Sequence, residues 1–282
     1  MPSSLWLFTL AFLTPPLLFC QQEKKPISLL PEGRLFHEIT FDPTEAQAYG
    51  AVLAYWEEGV YTEKVYLPFG LGFYKGLIRW NKSRPFEIGF DCATHTQFEW
   101  SFDEGKAQRN ILNIDFKVSI LLNKKINDRH ALRLRFYHVS SHLGDDYILR
   151  NGINSYFPNP NNYEQLDVTW AYQLQVFRFY GGMGVVVRPE TIRKRLSFQA
   201  GTQYEQPLAT KWPLGLTGGL DVKILEQNDW NPGLKAAFGF RMGQPDRSPF
   251  RIVAEFYRGN LPYSPFEFKH VQWMGVGLYF MP

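Results

Sequence analysis

Apolar and polar residues alternate over stretches of ten or more residues through most of this 282-residue chain. The clearest stretch runs from Asn110 to Leu122. One of its faces carries Leu112, Ile114, Phe116, Val118, Ile120 and Leu122, and the other carries Ile111, Asn113, Asp115, Lys117, Ser119 and Leu121. A period of two predicts a β-strand. Strands of this length suit a bilayer crossing better than a soluble sheet.

The same rhythm predicts twelve strands and an all-β fold. They lie near 47–57, 66–79, 86–100, 109–122, 128–142, 162–173, 175–187, 195–205, 213–225, 232–242, 249–259 and 270–280. An even number allows a closed antiparallel transmembrane β-barrel, and closure leaves no unpaired backbone in hydrocarbon. The first segment, AQAYGAVLAYW, could also form a helix.

Composition narrows the class of protein. Aromatic residues make up 17% of the chain, yet mean hydropathy is only −0.27. After the N-terminus, no apolar run reaches the roughly 18 residues that a spanning helix needs, so a bundle of membrane helices is excluded. The net charge of +3 is small and its basic residues are scattered, which argues against a nucleic-acid partner. A soluble β-sandwich or barrel is the alternative, and it would hide its apolar faces inside.

The N-terminus predicts export. Residues 1–20 have the apolar core of a signal segment, although no Lys or Arg precedes it. Cys20 is either an acylated lipoprotein-type residue or part of a segment cleaved nearby. Residues 21–46 are predicted to be a periplasmic lead-in, and 47–282 the outer-membrane barrel. The other cysteine, Cys92, lies on an apolar strand face, so a disulfide framework is not expected.

The face opposite the apolar one carries charges of both signs. These residues are Asp91, Glu99, Asp115, Lys117, Arg133, Arg135, Asp167, Arg178, Asp221, Lys223, Lys235, Arg241, Arg251 and Glu255. A selective pore more often favours one sign. We therefore expect a lumen closed by salt bridges, with a narrow channel as the alternative.

One strand changes character near its end. On the apolar face, Leu132, Leu134 and Phe136 are followed by His138, Ser140 and His142. If the strand crosses a membrane, His138 and Ser140 lie at the rim of the apolar band, where a lipid ester would be. Serine becomes a nucleophile when a neighbouring base removes its proton, and the base needs an orienting acceptor.

The following strand offers that acceptor. Glu164 lies on the apolar face, where an unpaired carboxylate is costly, and an antiparallel hairpin brings it level with His138. Asn162 is the second choice as orienting residue, and Asn151 the third. The non-catalytic interpretation makes His138 and His142 interfacial girdle residues, makes Ser140 the start of a loop, and pairs Glu164 with a lysine or a lipid headgroup.

A calcium site is a further hypothesis. Asp145 and Asp146 follow Gly144 and lie close in sequence to His142. Carboxylate oxygens are the ligands that calcium prefers. Solvated loop acids are the alternative interpretation.

The His-x-Ser strand, with an Asn or Glu on the next strand, resembles outer-membrane phospholipase A and lipid A deacylases. That resemblance implies a twelve-stranded barrel with Ser140 as nucleophile, His138 as base and Glu164 as orienting residue. Ser141 and His142 stand where the phospholipase has Asn-Gly after its serine. Over about residues 60–280, the runs YHVSSHLGDDYILR, NYEQLD, RFYGGMG and NDW resemble a family of bacterial exported proteins, domain of unknown function 1207.

Two functional hypotheses follow. The first is a serine-dependent acyl hydrolase acting on membrane lipid or lipopolysaccharide at the outer leaflet of the bacterial outer membrane. The second is a structural or transport barrel with a salt-bridged lumen. The sequence leaves calcium dependence and homodimer formation open.

Overall fold

The computed structural model describes residues 26–103, 106–153, 161–188, 193–209, 211–244 and 249–281. These residues form fifteen β-strands, one short α-helix and one 3₁₀ turn. The elements are β1 (Ile27–Leu29), β2 (Ala48–Glu57), β3 (Val60–Tyr66), β4 (Phe69–Gly70), β5 (Gly72–Trp80), β6 (Phe86–Asp103), β7 (Lys106–Lys125), β8 (His130–Leu143), α1 (Asp145–Asn151), β9 (Asn162–Leu174), β10 (Phe177–Arg188), β11 (Leu196–Pro207), β12 (Leu214–Leu225), the 3₁₀ turn (Glu226–Asn228), β13 (Pro232–Met242), β14 (Phe250–Asn260) and β15 (His270–Phe280).

The strands close into an antiparallel barrel with twelve wall positions, as predicted. Strands β3, β4 and β5 share one position: β3 and β4 pair with both β2 and β6, and β5 continues along β6. The short β1 pairs with the other edge of β5. The segment that could have been a helix is the strand β2. None of the helices in the described ranges is long and apolar enough to span a membrane.

The outer face of the wall is apolar and the inner face is polar. Outward side chains such as Ile120, Phe238 and Val276 are half exposed or more. Inward side chains such as Asp91, Lys117 and Arg241 are buried. This arrangement is the reverse of a soluble sandwich, whose apolar faces would meet in a dry core, so that alternative is wrong.

A bulge changes the phase of β7 near one end of the barrel. Gln97 is paired with Asn113 and Phe98 with Ile111, which leaves Leu112 as the extra residue. A bulge of this kind switches the face of every residue beyond it. Ile111 therefore lies on the outer wall beside Phe98, and Leu112 lines a cavity inside the mouth of the barrel. The predicted faces of Ile111 and Leu112 are corrected accordingly.

Most of the chain between β1 and β2 lies inside the barrel, although its start near Leu30 and Glu32 is exposed. We call residues 30–47 the inserted segment. Phe36, Ile39 and Phe41 within it are at most 4% exposed. Phe41 contacts the ring of Tyr279 on β15. The expectation of a periplasmic lead-in over residues 21–46 is corrected for residues 36–46, because most side chains of this part fill the lumen. Residues 1–25, including the predicted signal and Cys20, lie outside the described residues.

Carboxylates of the inserted segment meet cations of the wall. Asp42 Oδ1 lies 2.7 Å from Lys223 Nζ. Glu45 contacts both Arg133 and Arg135. The backbone contributes as well, since Arg178 donates to the carbonyl of Glu38 at 2.8 Å. Burial of an ion is costly unless it is paired, so these pairs explain how charged side chains tolerate the interior.

The wall also pairs its own charges between strands, both neighbouring and more distant ones. Arg135 lies 3.2 Å from Asp167, and Glu205 accepts from both Arg241 and Arg251. The predicted salt-bridged lumen is confirmed by these contacts. Cys92 carries a free thiol on the outward-facing side of β6.

Candidate functional site

The register between β8 and β9 places His138 directly opposite Glu164. Nδ1 of His138 lies 3.1 Å from Oε1 of Glu164. The two side chains are 40% and 29% exposed, so the pair lies on the outer surface of the wall rather than in the lumen. The predicted meeting of this histidine and this carboxylate is thus present in the structure.

Ser140 is two residues further along β8, on the same outward face and opposite Asn162. Its hydroxyl is hydrogen-bonded to Nε2 of His142 at 2.9 Å. Among the described residues, Ser140 therefore contacts His142 and makes no hydrogen bond to His138. The structure brings two of the three predicted catalytic residues into contact and places the third beside them.

His142 is the partner that sequence reasoning did not assign to Ser140. The signal was available, because residues i and i+2 of a strand project to the same side. His138 and His142 flank Ser140 symmetrically in sequence. The two imidazoles differ in their partners: the ring of His138 contacts the carboxylate of Glu164, whereas the ring of His142 contacts the hydroxyl of Ser140. His142 packs edge-on against the ring of Phe116, with 5.8 Å between ring centroids.

Apolar side chains surround this polar group on the outer wall. Phe116 is paired with Ser140 and Val118 with His138 on the neighbouring β7. Phe116, Val118 and Phe136 are each between 44% and 50% exposed. Ser140 lies three residues before the end of β8. The geometry therefore places a hydroxyl, two imidazoles and a carboxylate at the edge of an exposed apolar surface.

Neighbouring polar residues have structural contacts. Ser141 points inward, and its hydroxyl donates to Asp115. Asn151, the third choice as orienting residue, donates to the carbonyl of Tyr147 at 2.8 Å within α1.

The hypothetical calcium ligands are not gathered. Oδ2 of Asp146 accepts the backbone N–H of Ile111 at 3.1 Å. Asp145 is exposed in the first turn of α1, and His142 is on the outer wall with Ser140. In the described part of the chain, no group of three His, Cys, Asp or Glu side chains has the arrangement of a metal site. Asp146 instead satisfies a backbone donor beside the β7 bulge.

A closed twelve-stranded barrel with an apolar outer face and a charged interior is the fold of outer-membrane proteins. The chain belongs to the family described as Protein of unknown function (DUF1207), whose sequence profile matches residues 19–281. No curated protein sequence matches it significantly.

Two solved structures share the fold. Outer membrane phospholipase A from Escherichia coli superposes with a TM-score of 0.54 at 11% identity, covering 92% of this chain and 94% of that one. The Salmonella typhi outer membrane phospholipase, described as a dimer with bound calcium, has a TM-score of 0.55 at 11% identity, covering 83% and 90%. At this identity the similarity establishes the fold alone.

Proposed function

We propose that this protein lies in the bacterial outer membrane and hydrolyses an acyl ester bond of a membrane lipid, phospholipid or lipopolysaccharide. Ser140 is the nucleophile, His138 the general base and Glu164 the residue that orients the base. The observation that carries the proposal is the 3.1 Å contact between His138 and Glu164 on the outer wall, on the same face as Ser140. An unpaired carboxylate is costly on an apolar outer face, and the imidazole of His138 supplies its partner.

The reaction follows from the two ring nitrogens of His138. Nδ1–H donates to Glu164, which leaves Nε2 as the proton acceptor. As the Ser140 oxygen attacks the ester carbonyl carbon, its proton passes to Nε2, and Glu164 stabilises the imidazolium. The tetrahedral intermediate collapses when His138 returns the proton to the leaving alcohol. Water then attacks the acyl-serine by the same route and releases the fatty acid.

The hydrogen bond between Ser140 and His142 must break for this step. Rotation about one side-chain bond redirects a serine hydroxyl, and catalytic hydrogen bonds often tighten only when substrate binds. His142 has no carboxylate partner among the contacts described above, so no neighbouring acceptor orients its ring, and the role of general base is assigned to His138.

Calcium belongs to this proposal only as a condition of the assay. The Salmonella phospholipase is described with bound calcium and as a dimer. Asp145 and Asp146 are the carboxylates closest in sequence to Ser140. A calcium effect here would require ligands gathered on substrate binding or between two copies, so activity is measured both with calcium and with a chelator.

The test is hydrolysis of phospholipid and of lipid A by detergent-solubilised protein. We expect Ser140→Ala and His138→Ala to lower kcat by about 10³-fold or more, whereas His142→Ala keeps most of the activity. A fluorophosphonate ester should label Ser140, located by peptide mass spectrometry. Ser141→Ala, with folding verified by heat-modifiable mobility, is the matched control. If the wild-type protein hydrolyses neither lipid, with or without calcium, the proposed hydrolase activity is wrong.

A second candidate function is a non-catalytic structural barrel. The filled lumen favours it, because the inserted segment occupies the space through which a solute would pass. Under this alternative the His138–Glu164 pair stabilises the hairpin between β8 and β9, and Ser140 reacts with no ester probe.

A further inference from the structure

A groove of about 530 Å³ runs along the outer face of the barrel wall. We call it the outer groove. Side chains of β15 border it on one side, and side chains of β4, β6 and β7 border it on the other. Its volume is within the range of about 300–1,000 Å³ typical of ligand sites.

The groove exists because the wall has no side chain at Gly50. This residue is paired with Leu278 of β15 and with Phe69 of β4, so it lies between two large outward side chains. Leu278 and Phe69 are 43% and 41% exposed. The nearest atom to a Cβ built on Gly50 would be Cβ of Phe69, at 4.0 Å. The floor of the groove therefore has open space above it.

The lining of the outer groove selects an apolar ligand. Every described residue that lines it has an apolar side chain or none. Val52 and Val276 are 58% and 50% exposed. The groove is continuous with the apolar outer wall, which faces hydrocarbon in an outer-membrane barrel. An acyl chain fills such a groove without burying a polar group.

A cation lies beyond one end of the groove. Arg109 is two residues from Ile111 on β7, and residues at this spacing project to the same side of a strand. Arg109 is exposed and is paired with Trp100, which is 41% exposed. Tryptophan is enriched where a membrane meets water, and guanidinium groups bind phosphate. This end of the groove therefore offers a phosphate-binding side chain at the level of lipid headgroups.

We propose that the outer groove holds one acyl chain of a phospholipid whose phosphate is bound by Arg109. A phospholipid with one phosphate matches the charge of one guanidinium, whereas lipid A carries phosphates at both ends of its disaccharide. The groove does not include Ser140, which lies on β8. The inference therefore does not depend on lipid hydrolysis and stands if Ser140 proves inactive.

The experiment is photo-crosslinking in vesicles with an ether-linked phosphatidylethanolamine that carries a diazirine in one tail. The ether bonds prevent hydrolysis from altering the result. Labelled residues are located by mass spectrometry. We expect labelling of Val52, Phe69 and Val276 to saturate at a low mole fraction of the probe. Phe238 and Phe240 on β13, which are 56% and 58% exposed, should be labelled in simple proportion to the probe. Proportional labelling of both surfaces would show ordinary contact with bulk lipid and would overturn the proposal.

Filling the groove should remove the site. Gly50→Leu places a side chain in the open space, and we expect labelling of the groove to fall about fivefold or more, as when one or two methylene groups lose their contact. Gly181→Leu on β10 is the matched control, because a Cβ there would also have room, with its nearest neighbour at 3.8 Å. Heat-modifiable mobility verifies folding of both variants. Unchanged groove labelling in folded Gly50→Leu would show that the chain does not bind there.

Arg109→Gln tests the phosphate contact separately. Wild type should label about threefold more efficiently with the phospholipid than with an ether-linked diacylglycerol of the same tails, the size expected for one exposed charge pair. Arg109→Gln should remove this preference, while Lys124→Gln, exposed at the other end of β7, should keep it. Equal labelling by the two probes in wild type would contradict the phosphate contact. More effective competition by lipid A than by phosphatidylethanolamine would overturn the choice of phospholipid.

Discussion

Oε1 of Glu45 lies 2.7 Å from Nη1 of Arg133, so the inserted segment is tied to the inner wall by a buried ion pair. The other oxygen of Glu45 lies 3.1 Å from Arg135 on the same strand. All three side chains are at most 5% exposed. One carboxylate therefore bridges two buried guanidinium groups, and Asp167 supplies the second negative charge.

Neutralising this carboxylate should release the inserted segment. Glu45→Gln leaves Arg133 without a counter-charge and leaves Arg135 with Asp167 alone, and breaking a buried pair from one side costs about 3–5 kcal/mol. We expect faster proteolysis within residues 30–47 while the barrel itself still shows heat-modifiable mobility. Glu32→Gln is the control, because Glu32 is exposed in the same segment. Equal protection of wild type and Glu45→Gln would mean that the pair does not hold the segment.

The same pair predicts how acid affects the segment. Burial alone would raise the pKa of Glu45, but Arg133 and Arg135 outweigh it and lower the pKa to about 2. A carboxyl whose pKa is lowered by folding stabilises the folded state above its ordinary pKa. That contribution is complete above about pH 4.5 and is lost as the pH falls toward 2. Lys223 and Lys117 likewise lower the pKa of Asp42 against the effect of burial.

Protease protection or hydrogen exchange of the segment, followed from pH 7 to pH 2, measures this loss. Protection should be constant above pH 5 and should decrease below pH 4.5. Glu45→Gln should reduce the loss of protection, since it removes one titrating group and leaves Asp42. A loss of protection between pH 6 and 7 would point to a different group.

The wall was predictable from sequence because its two faces obey one period. Most outward side chains are apolar and most inward ones are polar, small or aromatic, so the pattern can be recognised without knowledge of contacts. The inserted segment was not predictable. Phe36, Ile39 and Phe41 show no regular period, and their burial depends on partners far away in the chain, such as Arg133, whose guanidinium lies 4.7 Å from the centroid of the Phe36 ring.

The candidate site was predictable in part for the same reason. His138 and Glu164 lie on the same face at paired positions of neighbouring strands, and the strand register alone brings them together. The bond between Ser140 and His142 depends on side-chain rotation, which strand periodicity does not specify. The bulge at Leu112 was missed because Leu112 and the neighbouring Ile111 are both apolar. The alternation of apolar and polar residues therefore shows no interruption there.

The bulge on β7 is held by the start of α1. The N–H of Ile111 donates to Asp146, and the N–H of Gly144 donates to the carbonyl of Leu112 at 2.9 Å. Asp146→Ala leaves the Ile111 donor without its partner, which should destabilise the barrel by about 1 kcal/mol. A Cβ at position 144 would overlap the carbonyl of Ile111, so Gly144→Ala should be the more harmful change.

The temperature at the midpoint of the heat-induced shift in gel mobility ranks the stability of the variants. We expect wild type, Asp146→Ala and Gly144→Ala in decreasing order. Asp145→Ala is the control, because its exposed side chain lies one residue from Asp146. If calcium raised the midpoint of wild type and not of Asp146→Ala, the carboxylate would be a metal ligand instead.

Glu164→Gln tests the orienting role separately from the nucleophile. Glutamine keeps an acceptor oxygen near Nδ1 of His138 but removes the charge that stabilises the imidazolium. We expect kcat on a phospholipid ester to fall about 10²- to 10⁴-fold with little change in KM. Asn162→Ala, opposite Ser140, should have a much smaller effect. If Asn162→Ala is the more damaging variant, Asn162 rather than Glu164 orients the base.

The inserted segment should also determine whether the barrel conducts ions. In planar bilayers we expect wild-type protein to be mostly silent, since residues 30–47 fill the lumen. The combined substitution of Glu38, Asp42 and Glu45 by their amides removes every carboxylate that the segment presents to Lys223, Arg133 and Arg251. Those wall cations then face an open lumen, and a ring of like charge favours ions of opposite sign.

The triple variant should open channels whose reversal potential in a salt gradient shows anion selectivity, while Glu32→Gln stays silent. Frequent openings in wild type, or cation selectivity in the triple variant, would contradict a lumen closed by an acidic segment against a basic wall.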